Sequence, residues 1–321
     1  MSLLGGKERI AVFRGGERAT NRQSMEYGAT VLALLSRSRR YTPVDVVVAP
    51  NGEWLHDGLV VSPTTFLPHV DAAYLTVLGP YGEDGQLARV LEQHGVPHQT
   101  EKPYTALETW QKDLATERVR SAGVRIPQRL IAHAHSQSDL HGLSTRIQEL
   151  FGPTYVVKPV SGTQRDSVYL VANGAQLPAV IAQVLSVHPA CLIEEYIDGQ
   201  AVTLASMPGM RGEKLYHTPL LQWQHQFATD GVLENNEVLQ PAALSREHKR
   251  TVAEIADNVY KALDLTGSVR TDFQVTPAGQ VYFLETNTLA PLTAESALTQ
   301  TLNAVGITPE EFVLTQVRAL R

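Results

Sequence analysis

The sequence predicts an α/β protein, with a mostly parallel sheet in its first third and two α+β regions after it. Three observations predict this. Short apolar runs of strand length alternate with helix-length stretches through residues 9–100. Beyond residue 105 the strands come instead in pairs joined by small polar turns. The chain is 321 residues long, which is too much for one small core, so two or three subdomains are expected.

The elements follow in order. RIAVFR, residues 9–14, is a strand ended by Gly15 and Gly16. The spacing of Val31, Leu32, Leu34 and Leu35 predicts a helix over 24–36 with Ser24 as its cap. DVVVAP (45–50) is a buried strand, NGEWLHDGLVV (51–61) a turn and short hairpin, and AAYLTVL (72–78) a third strand. The segment Gly79 to Gly85 leads into a helix over 86–95, and VPHQT (96–100) reads as a short strand. Residues 105–122 read as one charged helix ending at Ala122 and Gly123, followed by a strand over 126–133 and a helix near 138–150. TYVVKPVSGTQRDSVYLVAN (154–173) is a hairpin with a small polar tip, and a helix spans 175–187. ACLIEEYIDGQAVTLASM (190–207) gives two strands around the turn signal Asp198-Gly199. A polar loop (223–241), a helix (246–263), a hairpin (268–284) and a terminal helix opened by Thr308, Pro309, Glu310 and Glu311 complete the chain.

Composition narrows the function. Hydrophobic residues make up 43% and charged residues 19%, as in an ordinary globular protein. The net charge of -6 lacks the basic excess a nucleic-acid surface needs, so no nucleic-acid partner is expected. No apolar run approaches the ~20 residues of a membrane span, and MSLLGGKERI is too short and polar for a signal peptide. The single cysteine, Cys191, forms no internal disulfide, which suits a reducing compartment, and its apolar neighbours read as core.

Four stretches carry chemistry. In FLETNT (283–288), Glu285 and Asn287 share one face of a strand end. In SVRTDFQV, Arg270 and Asp272 share a face of the partner strand. Across the hairpin these faces meet. Two carboxylates and an amide oxygen suit Mg²⁺, with the guanidinium placed to clamp a phosphoryl group. The same residues equally fit a cross-strand salt bridge. Lys158, at a strand end before Pro159 and the tip Ser161-Gly162-Thr163, suits a phosphate, as it would suit plain solvent. Lys112 in ETWQKDLATE reads by itself as an exposed helical lysine. CLIEEYIDG offers Glu194 and strand-end backbone to an adenine ring, or is a turn with solvated acids.

Taken in order, these pieces resemble the ATP-grasp superfamily, and more narrowly the D-alanine–D-alanine ligase family. The resemblance runs from about residue 9 to about residue 318 and includes IAVFRGG, GEDGQLARVLEQHGVPHQT, VVKP and LETNTLAPLTAES. It implies a three-subdomain ATP-grasp architecture: an N-terminal domain over 1–104, a central subdomain over 105–190, and a C-terminal subdomain over 191–321 with the metal site. It implies a cytoplasmic ligase of cell-wall (peptidoglycan) precursor synthesis. Such an enzyme phosphorylates one amino acid's carboxylate and lets a second amino acid's amine attack the acyl phosphate. ATP and two Mg²⁺ ions, with room for Mn²⁺ in their place, are the implied cofactors, small amino acids the substrates, and a homodimer the implied assembly. By the same resemblance, Lys112 and Lys158 hold phosphates, and Glu194, Glu195, Tyr196 and Ile197 hold the adenosine end. Asp272, Glu285 and Asn287 ligate metal. Arg270, with Ser161 and Thr163 of the loop, serves the transferring phosphate, and Ser296 receives the second substrate's carboxylate.

The sequence departs from the family pattern on the amino-acid side. The acid for the first substrate's ammonium is replaced by Thr20, with Glu17 near it but out of register. Leu78 stands at the substrate histidine, and Ala201 at the ribose acid. The lid's lysine–tyrosine pair has no match in QHQFATDGVLENNEV, and Ala290-Pro291 replaces Pro-Gly, so an N–H donor is lost. Two alternatives therefore stand beside the D-alanine reading: a ligase for a different acid and amine, and a catalytically silent Mg-ATP-binding protein.

Overall fold

The run Glu8–Gly15 is apolar and β-branched where it must be buried, and it forms β1, with Ala11, Val12 and Phe13 excluded from solvent. The computed structural model describes residues 6–134, 140–162, 167–224, 228, 231–233 and 239–320. After β1 come α1 (Arg18–Ser36), β2 (Tyr41–Val48), β3 (Trp54–His56), β4 (Leu59–Val61), α2 (Pro63–Phe66) and β5 (Ala72–Leu75). β1 pairs in parallel with β2 on one side and β5 on the other, while β3 and β4 add an antiparallel edge, giving the order β4-β3-β2-β1-β5.

Two local expectations change here. α1 begins at Arg18, so Ser24 is not its cap. The Ser24 hydroxyl lies buried inside the helix, accepting from Gly15 N–H at 2.8 Å and donating to Thr76 O at 2.7 Å. VPHQT forms a single bridge, Ala73 to His98, rather than a strand. The reason is Gln99, whose amide takes the edge of β5 as a strand would: Oε1 accepts from Leu75 N–H and Nε2 donates to Leu75 O.

The chain continues through α3 (Pro80–Glu83), α4 (Gln86–Gln93), α5 (Pro103–Trp110) and α6 (Lys112–Ser121). The helix expected over 105–122 is thus two helices. Gln111 is extended (φ -89, ψ 98) because it bridges to Ser161, and the Lys112 N–H donates to Val160 O at 2.8 Å. A second sheet holds β6 (Arg129–His133), β7 (Tyr155–Pro159), β8 (Tyr169–Val171) and β9 (Ala190–Glu195) in the order β6-β9-β7-β8, backed by α7 (Leu140–Phe151) and α8 (Leu177–Leu185). Cys191 is buried in its core.

The third sheet holds β10 (Gln200–Pro208), β11 (Leu215–His217), β12 (Leu221–Trp223), β13 (Leu239–Pro241), β14 (Val269–Val275) and β15 (Val281–Asn287), with α9 (Arg246–Ala262) packed on one face. The Asp198-Gly199 turn does not close a hairpin: β9 and β10 belong to different sheets, so the turn is a corner between them. The last helices, α10 (Ala297–Asn303) and α11 (Pro309–Arg318), return to the first sheet, where Leu302, Phe312 and Val317 pack with Ile10, Val12 and Val31. Thr308 caps α11, its hydroxyl accepting from Glu311 N–H. No helix among the described residues is long and apolar enough to cross a membrane.

Glu101 fastens the first region to the third. Its buried carboxylate accepts from the N–H and hydroxyl of Thr266 (both 2.9 Å) and from Gly267 N–H (2.7 Å). Replacing Glu101 by Ala strands these donors and is expected to lower the unfolding free energy by about 2–3 kcal/mol. Glu101→Gln is expected to do no better, since its NH₂ must face an N–H. Urea denaturation of both variants checks this, and a wild-type midpoint for Glu101→Gln would refute it.

Candidate active site

A cleft of about 480 Å³ lies where the second and third sheets meet segment 78–83 of the first region. Its apolar lining comes from Val156, Leu170, Ile197, Leu233 and Leu284. Its polar lining includes the charged Lys112, Lys158, Arg270, Asp272 and Glu285 and the amide of Asn287.

The β14–β15 ladder builds much of the charged lining. Arg270 lies opposite Asn287, and Asp272 opposite Glu285. The next pair is Phe273 with Phe283, so Leu284 is an extra residue on β15. This bulge is essential to the site. In a regular strand Phe283 and Glu285 would point the same way. With the bulge, Phe283 is in the core against Phe273 while Glu285 turns into the cleft.

Each acid here is matched by a cation. Arg270 grips Asp272 bidentately, Nε to Oδ1 at 3.1 Å and Nη2 to Oδ2 at 2.9 Å, and its guanidinium lies 5.3 Å from the Trp223 ring centre. Lys112, the first residue of α6, donates to Glu285 at 2.6 Å. Lys158 pairs with Glu194 at 2.8 Å. Burial alone would raise the Glu285 carboxyl, but Lys112, Lys158 and Arg270 together hold it far below the usual carboxylate range. Both readings of this hairpin thus meet in one geometry: the Arg270–Asp272 salt bridge exists, on the face where the oxygens converge. Among the described residues no three His, Cys, Asp or Glu side chains cluster for a metal. The oxygen set is two carboxylates and one amide. It fits a hard cation that keeps water and phosphate oxygens as its remaining ligands.

Other predicted residues are placed as follows. Glu194, Glu195, Tyr196 and Ile197 line the cleft where β9 ends. Glu195 turns back to accept from Gln128 N–H at 2.8 Å. Ser161 bridges to Gln111 beside the cleft, and its neighbour Gly162 lines it. Thr163 and most of the stretch 224–238 lie outside the described residues. Thr20 does not line the cleft; its hydroxyl donates to Leu78 O at 2.9 Å. Ser296 is buried as the cap of α10, donating to Pro291 O at 2.6 Å and accepting from Thr299 N–H, and it too is off the cleft surface. Leu78, Ala201 and Pro291 do line it.

Glu83 is the residue that sequence reasoning left without a role, although it stands in the GEDG motif. It is buried at the cleft and accepts from Gly79 N–H at 2.6 Å. Burial pushes its carboxyl up to about 7; the Gly79 bond, Lys112 and Arg270 oppose the rise, and Glu285 adds to it.

The comparisons with known proteins agree with this geometry. The family profile described as D-ala D-ala ligase C-terminus matches residues 119–318. The chain belongs to the D-alanine–D-alanine ligase family. A D-alanine–D-alanine ligase of Geobacter sulfurreducens is 29% identical over 309 residues, covering 95% of this chain and 92% of that one. One of Oleidesulfovibrio alaskensis is 30% identical over 237 residues, covering 74% and 75%. Solved structures share the fold. VanG D-Ala:D-Ser ligase from Enterococcus faecalis superposes at TM-score 0.84 with 20% identity, covering 98% of this chain and 100% of that one. The ATP complex of the Bacillus anthracis D-alanine–D-alanine ligase superposes at 0.77 with 23% identity, covering 98% of each. The ATP-grasp architecture expected from the sequence is therefore present.

Glu83 sets a pH dependence in this family member. Its carboxyl moves from an ordinary 4.5 to about 7 on folding, so its stabilising, protonated form is complete below 4.5 and is lost as pH rises through 7. Relative to Glu83→Gln, the ligand-free wild type is expected to lose up to roughly 3 kcal/mol across that window. Denaturant titrations of both proteins between pH 4.5 and 8 measure the difference, and a constant difference would rule it out.

Proposed function

We propose that this protein is an ATP-dependent carboxylate–amine ligase working through an acyl phosphate. The observation that carries the reading is a cleft in which three cations, Lys112, Lys158 and Arg270, stand with the facing carboxylates Asp272 and Glu285 alongside apolar lining from Val156, Leu170, Ile197 and Leu233.

The apolar lining takes adenine, with Glu194 and the backbone of Glu195 to Ile197 beside it. The phosphates extend past Lys158 toward Lys112. Asp272, Glu285 and Asn287 would hold Mg²⁺, which supplies charge neutralisation on the phosphate oxygens. Arriving phosphates give Lys112 and Arg270 new partners, so the cations that balance Glu285 and Asp272 in the empty cleft turn to the substrate.

The terminal phosphoryl group passes to a substrate carboxylate oxygen, giving ADP and an acyl phosphate. A substrate amine then attacks the carbonyl carbon, phosphate leaves, and the amine's proton goes to solvent or to the departing phosphate. Arg270, which lines the cleft, is the donor assigned to the developing oxyanion. The work is positioning and electrostatics, and no side-chain nucleophile is required. Ser161 and Thr163 serve the transferring phosphate, and Ser296 holds the loop that bounds the second substrate.

The curated relatives are D-alanine–D-alanine ligases, so D-alanine is the first substrate to try. Thr20, Leu78 and Pro291 favour a pair of small substrates that differs from two D-alanines. We place the protein in the cytoplasm, where ATP is made, and as a homodimer.

ADP release from Mg-ATP, driven by D-alanine or another small amino acid, tests the reading. Glu285→Gln is expected to reduce turnover at least ~100-fold while the protein still melts cooperatively. Equal turnover in Glu285→Gln would remove the metal strand from the mechanism. No ADP release with any small amino acid, alongside stabilisation by Mg-ATP, would mark a silent nucleotide-binding protein instead.

A further inference from the structure

Five carboxylates line the cleft among the described residues: Glu83, Glu194, Glu195, Asp272 and Glu285. Three of them hold a cation within an ion pair, Glu194 with Lys158, Asp272 with Arg270 and Glu285 with Lys112. Glu195 is turned to the Gln128 backbone. Glu83 has only the Gly79 N–H on one oxygen. Lys112 and Arg270 act on it through space, but each is already engaged by another acid. A buried carboxyl that faces a cleft with one hydrogen bond and no paired cation is neutralised either by a proton or by a positive group that enters the cleft.

Its position says which group. Gly79, with φ +89, connects Glu83 to Thr20: a Cβ on Gly79 would lie 3.1 Å from the Thr20 hydroxyl, while its N–H holds Glu83. Glu83 thus adjoins the same glycine as Thr20, the position where the family pattern puts the ammonium-binding acid. Glu17 also approaches, with Oε2 3.7 Å from that Cβ position, but it is exposed and does not line the cleft. Asp84 is occupied by Gln86, through the backbone at 2.9 Å and the side chain at 2.6 Å. The rest of this wall is Leu78, Leu289, Ala290 and Pro291, which offer no charge.

We propose that Glu83 receives the ammonium of an amino-acid substrate, taking over the role that Thr20 cannot fill. The assignment rests on the ligase reading and makes the substrate a small amino acid rather than its hydroxy or des-amino counterpart. The apolar wall beside Glu83 adds that its side chain is small and uncharged.

The test uses the whole protein loaded with Mg²⁺ and a non-hydrolysable ATP analogue. Calorimetric titrations compare D-alanine, D-serine and glycine with D-lactate and propionate. The wild type is expected to bind at least one ammonium-bearing compound about 10-fold or more tighter than its counterpart. Glu83→Gln can still accept from Gly79 N–H, so near neutral pH it should melt no lower than the wild type and keep its affinity for the nucleotide analogue while losing that preference. Glu83→Asp keeps the charge with shorter reach and is expected to retain a reduced preference, which serves if Glu83→Gln folds poorly. A preference that survives in Glu83→Gln, or a wild type that prefers no ammonium compound, overturns the assignment and leaves the ligase reading standing. Failure of the wild type to bind the nucleotide analogue removes the ligase reading and this assignment with it.

Discussion

Asp272 faces Glu285 directly across the β14–β15 ladder, and the charge balance of the whole cleft follows from that pairing. Like charges at facing positions repel, and the repulsion grows as water is excluded. The fold offsets it with one cation per acid, each brought from a different place. Arg270 comes from the same strand, two residues earlier, and Lys112 from the start of a helix in another region. Lysine at a helix N-terminus opposes the macrodipole, and Asp113 beside it restores only part of that loss. The break at Gln111 exists to deliver Lys112: without the bridge to Ser161, α5 and α6 would run on as one helix and the ammonium would not start a turn facing β15.

The Leu284 bulge solves a second conflict. β15 must present Phe283 to the core and Glu285 to the cleft, and a strand of strict period two cannot do both. One extra residue reverses the alternation midway. Below the bulge the strand reads as ordinary core, with Val281 and Phe283 buried against Phe273 and Val275. Above it Glu285 and Asn287 line the cleft while Thr286 stays buried against Thr271. Core packing thus holds the two facing acids in place, since Phe273 and Phe283 lock the register that puts Asp272 against Glu285.

How much of this was legible in the sequence depends on how local each cause is. Strands such as 9–14 and hairpins such as 268–284 were legible because burial follows from residue type and turns from Pro and Gly. The carboxylate, amide and guanidinium of FLETNT and SVRTDFQV were legible as one group because two-residue spacing fixes a face. What was not legible came from partners distant in sequence. Ser24 reads as a cap until Gly15 and Thr76 are seen to use its hydroxyl. VPHQT reads as a strand until Gln99 is seen to satisfy Leu75 with its side chain. Asp198-Gly199 reads as a hairpin turn because nothing local says that β9 and β10 join different sheets. Lys112 alone is an ordinary helical lysine; only Glu285, far along the chain, makes it part of the site.

Glu83 shows the same limit from the other side. Its neighbours Gly82, Asp84 and Gly85 make the segment look like a turn, and turn acids are normally solvated. The segment instead turns inward, because Gly79 at φ +89 lets its N–H reach the Glu83 carboxylate, and Gly82 fits against the Val77 backbone where any side chain would collide. Two glycines thus bring one acid into a cleft whose other acids are already paired or turned to the backbone. Lys112, Lys158 and Arg270 balance Glu285, Glu194 and Asp272, whereas Glu83 has no paired cation and burial drives it toward its protonated form unless a positive group pairs with it. A cleft with that asymmetry suits a substrate that carries an ammonium over one of the same shape that lacks it, through an acid that stands in a different place from the one the family pattern supplies.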